Sequence, residues 1–93
     1  MAVGVLQFRL HVHEAQSLKD KRRVLQGLME RLRNDHGVSV AEVGSRDAHQ
    51  DAQLELALVL SDPKAIHSAL TKIVDFLRLG RSANLIEHEI EVL

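Results

Sequence analysis

Along this chain the spacing of apolar residues switches between every second position and helical spacing, and the order of those switches limits the fold more than any other feature. From Val3 to Val12, Leu6, Phe8, Leu10 and Val12 alternate with Gln7, Arg9 and His11, which predicts a half-buried strand. Leu18 to about Asp35 has a helical stripe of Leu18, Leu25, Leu28, Met29 and Leu32, and Gly37 offers a left-handed stop. Val38 to Val43 is rich in β-branched residues and predicts a second strand. After the polar, turn-like Gly44–Asp51, Ala52 to Leu60 alternates again, with Leu54, Leu56, Leu58 and Leu60 on one face. Asp62-Pro63 then starts a helix, an acid at the cap and proline at the first helical position. Ile66, Ala69, Leu70, Ile73, Phe76 and Leu77 form its stripe, with Gly80 just past its end. Leu85 to Leu93 closes the chain as a strand, with Ile86, His88, Ile90 and Val92 inward and Glu87, Glu89 and Glu91 outward.

That order, β-α-β-β-α-β, is the ferredoxin-like split βαβ arrangement of the α+β class. Two right-handed crossovers place both helices on one face of a four-stranded antiparallel sheet with strand order 4-1-3-2. Phe8, Leu28, Leu56, Leu70, Ile73 and Ile90 are expected to meet in its core. The 93 residues form a single domain, 1–93, near the lower end of what buries a stable core alone.

Ser17-Leu18-Lys19-Asp20-Lys21-Arg22-Arg23-Val24 is both a helix start and a basic patch. Ser17 can accept from the backbone N–H near Asp20, and Asp20 can answer in a short-acid capping box. The cations crowd the first two turns, where the positive end of the helix dipole disfavours them. From Ser17 to His36 six Lys/Arg stand against three acids, although the whole chain carries a net charge of −1. The protein is therefore no polyanion binder by charge alone.

Several segments together resemble the YlxP-like family, small bacterial proteins of unassigned function. They are Val3-Gly4-Val5-Leu6, Ser17 through Val24, Leu32-Arg33-Asn34, Val38 through Gly44, and Glu89-Ile90-Glu91-Val92-Leu93. The resemblance runs essentially end to end, and it implies a ferredoxin-like fold. It also implies a connection with translation, since the family's genes often lie beside those for initiation and ribosome-maturation factors. It brings no catalytic set. His49 and His88 depart from it, because family members commonly have aromatic residues there.

On a helical wheel Lys19, Arg22, Arg23 and Arg33 share one sector away from the Leu25/Leu28/Leu32 stripe. Clustered cations on a regular helix suit phosphate oxygens spaced along a backbone. Lys19, Lys21, Arg22, Arg23 and Arg33, with Arg46 in the following loop, are the candidate nucleic-acid contacts. Ribosomal RNA or the small ribosomal subunit is the candidate partner. The plain alternative is a solvated face in which Glu30 pairs with Arg33 or Arg23, worth tenths of a kcal/mol. Gly27, on the exposed side of the helix, costs about 1 kcal/mol relative to alanine and leaves room for close approach.

The open sheet face is a poor RNA platform. Phe8 and Phe76 are the only aromatic residues, and the outward Gln7, Arg9, His11, Gln53, Glu55 and Ala57 offer no ring for stacking except imidazole. Glu87, Glu89 and Glu91 beside them repel phosphate. At one end of that face, Val3 and Val5 lie near Ala57 and Val59, an apolar patch on which a homodimer or a partner protein can form.

With no cysteine, disulfides, thiolate metal sites and a Cys nucleophile are excluded. His11 and His13 share one side of a strand, and Asp47, His49 and Asp51 gather in a loop, but neither set has the spacing of a recognised zinc site. Neither a metal nor any other cofactor is expected. The serines lack a nucleophile-elbow context, and Asp47 with His49 is a dyad without an evident pocket, so no enzymatic activity is expected. Nothing in the sequence approaches membrane-span length, and a soluble cytoplasmic protein with no membrane partner is the expectation.

Overall fold

A computed structural model describes all residues, Met1–Leu93. Its elements follow in the order β1 (Ala2–His11), α1 (Leu18–His36), β2 (Ser39–Gly44), β3 (Asp51–Leu60), α2 (Pro63–Arg78) and β4 (Asn84–Val92). The sheet is four-stranded with order β2-β3-β1-β4, which is 4-1-3-2 read from the other edge, and every pairing is antiparallel. The α+β ferredoxin-like arrangement expected from the sequence is the one observed.

Local chemistry sets the helix ends. The Ser17 hydroxyl accepts from the Asp20 N–H at 3.1 Å, and the Asp20 carboxylate accepts from the Gln16 N–H at 3.2 Å. The acid thus answers one residue earlier than a standard capping box, tying down the backbone N–H of the residue just before the cap. At the other end Gly37 takes φ 64° and donates its N–H to the Arg33 carbonyl, a conformation open to glycine at little cost. Asp62 caps α2 by accepting from the Lys64 N–H, with Pro63 at the first helical position.

Strand alternation decides the layers. In β1, Leu6, Phe8 and Leu10 are buried, and in β3 so are Ala52, Leu54, Leu56 and Leu58. These side chains pack against Leu25, Leu28 and Leu32 of α1 and Ile66, Leu70, Ile73, Val74 and Leu77 of α2. Of the six expected core residues, Ile90 is only partly buried, because its strand is an edge of the sheet. Gly4 makes room for α2 against the sheet: a Cβ there would overlap Ile66 and press on Leu70 and Leu58.

The sheet has two irregularities, and the first moves a side chain from its expected face. Between Arg9 and Leu10 the β1–β4 register slips, so that Leu85, not Ile86, lies opposite Leu10. Ile86, expected inward, is 52% exposed at this bulge. The second slip lies between Glu42 and Gly44, at Val43, which is 50% exposed on the face opposite to Glu42.

Candidate functional site

The first two turns of α1 contain the main departure from expectation. Lys21 is a buried residue, with no exposed surface. It sits four positions before Leu25 and seven before Leu28, on the stripe that faces the sheet. Its ammonium donates to the main-chain carbonyls of Ser45 at 2.8 Å, Arg46 at 3.3 Å and Asp51 at 3.1 Å. A lysine has three protons to give, and these carbonyls take them all. The Glu42 Oε2 atom lies 3.1 Å away as a charge partner and receives no hydrogen bond. Lys21 is therefore not a nucleic-acid contact: it is a buried anchor that ties the 45–51 loop to the start of α1.

Glu42 is where it is because β2 alternates. Val40 pairs with Leu56 and Glu42 with Leu54, so Glu42 occupies an inward position of the edge strand, its side chain only 13% exposed. A carboxylate there needs a buried cation, and Lys21 supplies it.

The remaining expected contacts divide. Lys19, Arg22 and Arg23 are exposed on the outer side of α1, and none forms an ion pair with a carboxylate. Glu30, the acid at helical spacing from Arg23 and Arg33, pairs with neither. Arg33 is exposed but donates to the Val40 carbonyl of β2 at 3.1 Å, so part of its guanidinium is committed. Arg46 is exposed, and the Lys21 bond to its carbonyl keeps its backbone beside the helix start. Arg31 turns to the other flank, its guanidinium carbon 5.7 Å from the centre of the Phe76 ring. A methyl group at Gly27 would meet nothing within 4 Å, which leaves the middle of this face open.

From Lys19 to Arg33 the helix rises about 21 Å at 1.5 Å per residue. Cations spread over that length match a phosphate backbone better than a single phosphate ion.

The open sheet face has the opposite sign. Gln7 lies across from Glu55 and donates to it at 3.1 Å, and Arg9 pairs with Glu87 at 2.9 Å. These residues, with Gln53 and Glu89, border a shallow depression of about 400 Å³. Val3 lies opposite Val59 and Val5 opposite Ala57, so the four form one patch as expected, and Leu93 extends it by pairing with Val3 through two backbone bonds.

The histidines do not converge. His11 lies 3.3 Å from the Asp51 carboxylate, and His13 is 3.9 Å from Glu14. No group of three or more potential metal ligands occurs in the structure. No helix is long and apolar enough to cross a membrane.

A family model described as "Protein of unknown function (DUF503)" matches residues 3–90. The "Uncharacterized protein YlxP" of Bacillus subtilis (strain 168) is 29% identical over 75 residues, covering 81% of this chain and 82% of that protein. Among solved structures, an amidase of the hydantoinase/carbamoylase family from Burkholderia phymatum matches 99% of this chain with a TM-score of 0.55 and 16% identity. The match covers 28% of the amidase chain. At that identity the likeness concerns the fold alone.

Proposed function

This chain belongs to the DUF503 family of proteins of unknown function, and from that premise we propose that it is a non-catalytic accessory factor that binds structured RNA, in the setting of the ribosome, through the outer face of α1. The observation that carries this reading is that Lys19, Arg22 and Arg23 stand exposed in one sector with no carboxylate paired to them. Unpaired cations can neutralise phosphates, and so release the counterions condensed on the nucleic acid, without first breaking an internal bridge. Arg46 and the free part of Arg33 extend the track. The acidic sheet face turns away from the nucleic acid and gives the complex an orientation.

Such binding is mostly indifferent to base sequence, because the face presents no stacking ring and no base-reading constellation. Filter binding to a structured ribosomal RNA fragment across a salt series tests it. Three to four phosphate contacts predict that the logarithm of the binding constant falls with that of salt with a slope of about −3. The Lys19→Glu/Arg22→Glu/Arg23→Glu variant should lose that dependence and keep its melting temperature. Equal binding by both proteins, or none by either at low salt, would overturn the reading.

A second reading draws on the contiguous patch of Val3, Val5, Ala57, Val59 and Leu93, which fits a protein partner or a second copy of the chain. Light scattering decides between a monomer and a dimer, and Val59→Lys should abolish the dimer if this patch forms it.

A further inference from the structure

The two edges of the sheet are not alike. β2 is short, is broken by the bulge at Val43, and has its Val40 carbonyl taken by Arg33. These are features that blunt an edge strand against pairing. β4 is nine residues long; past its own bulge at Ile86 it runs in unbroken register with β1 from Glu87 to Val92, and it pairs with nothing on its outer side.

The hydrogen-bond phase identifies which groups are free there. Val3 and Leu93 exchange both backbone bonds, N–H to carbonyl in each direction. In an antiparallel ladder bonded and non-bonded pairs alternate. Glu91, Glu89 and Glu87 are therefore bonded to Val5, Gln7 and Arg9 of β1. Val92, Ile90 and His88, opposite Gly4, Leu6 and Phe8, point their N–H and C=O groups away from the sheet.

The two faces beside that free edge differ in chemistry. On the helix side a cleft of about 450 Å³ runs between α2 and β4, lined by Thr71, Val74, Asp75, Arg78, His88 and Ile90. Val92, opposite Gly4 on the same face of β4 as His88 and Ile90, is 40% exposed. On the other side stand Glu87, Glu89 and Glu91, of which only Glu87 has a cationic partner, Arg9.

We propose that the β4 edge accepts an extended segment of another protein in which apolar residues alternate with lysine or arginine. The incoming strand bonds to the free groups of His88, Ile90 and Val92, which directs its apolar side chains toward the cleft. Its basic residues fall opposite Glu87, Glu89 and Glu91 in non-bonded pairs, where cross-strand Cα atoms approach to about 4.5 Å. A second copy of β4 is the wrong occupant. All three glutamates share one face, so an antiparallel self-pairing centred on the strand sets glutamate beside glutamate. The same acids that keep this edge from pairing with itself select a cationic strand.

This surface lies away from the outer face of α1, so the inference stands or falls independently of RNA binding. The test uses fluorescence anisotropy with a labelled synthetic peptide alternating lysine and valine. The controls are a peptide of the same composition with its lysines in one block, and two N-methylated isomers. One isomer is methylated at the amides that would face β4, the other at the amides that would face away. The alternating peptide should bind, and methylation facing β4 should weaken it about tenfold, as expected for lost backbone bonds, while the other isomer binds as the parent does. His88→Pro removes a free edge N–H without touching the ladder to β1, and it too should weaken binding about tenfold with the fold retained by circular dichroism. Glu89→Lys/Glu91→Lys should abolish binding. Equal binding by the block peptide or by both isomers would reduce the interaction to charge alone and overturn the proposal, as would full binding by His88→Pro or no binding of the alternating peptide at low salt.

Discussion

Replacing Lys21 by methionine, which keeps the stem and removes the ammonium, should destabilise the protein by about 3–5 kcal/mol, the range for breaking a buried pair from one side. The structure explains why the cost falls at the upper end for a single lysine. The ammonium is fully buried, three main-chain carbonyls depend on it, and Glu42 is left mostly buried without a counter-charge. For a domain of this size, whose whole stability is on the order of 5–14 kcal/mol, that loss is a large fraction. Removing both charges should cost less. In Lys21→Met/Glu42→Leu the uncompensated carboxylate is gone, and the loop carbonyls can turn to water, so stability should recover by about 2 kcal/mol or more over Lys21→Met. Urea denaturation monitored by circular dichroism, run on the wild type, both single variants and the double variant, gives the full cycle. If Lys21→Met unfolds outright, the double variant still reports the coupling by folding. A Lys21→Met protein within about 0.5 kcal/mol of the wild type, as for an ordinary surface substitution, would refute the anchor.

Phe8→Ala should cost about 3–5 kcal/mol, since Phe8 is 3% exposed at the centre of β1, and loss of the cooperative thermal transition would register it. Gly27→Ala should raise stability by about 1 kcal/mol, because the added methyl meets nothing and glycine is a poor helix former, while any reduction in RNA affinity would show that the site admits close approach. Gly4→Ala should destabilise by about 1–3 kcal/mol through overlap with Ile66, readable as a lower urea midpoint.

The layers of this fold were legible because its strands and helices repeat at different periods, and the turn residues between them are of the kinds those turns require. Ser17, Gly37, Asp62 and Pro63 all sit at element ends as their chemistry predicts. The β4 bulge was not legible: Leu85 and Ile86 are both apolar, and only pairing with Leu10 decides which faces inward. The basic neighbours of Lys21 suggest a common surface role that its burial contradicts. Its position had already set it apart, four residues before Leu25 on the apolar stripe, and Glu42 likewise took an inward place in the alternation of β2. Two opposite charges, each alone on a core-facing position, are the signal that would have paired them. The sector of Lys19, Arg22 and Arg23 could be placed from the helical wheel, whereas the absence of a bridge to Glu30 depends on side-chain geometry that spacing does not fix.

The proposed RNA contact on the outer face of α1 can be tested by sedimentation with purified small ribosomal subunits through a sucrose gradient. The wild-type protein should travel with the particle at low salt and be released as salt rises, as contacts made by a few cations require. The Lys19→Glu/Arg22→Glu/Arg23→Glu variant, folded by circular dichroism, should remain at the top of the gradient under all conditions. Wild-type protein that stays at the top at low salt, or a triple variant that travels with the subunit as the wild type does, would rule out an RNA contact on this face.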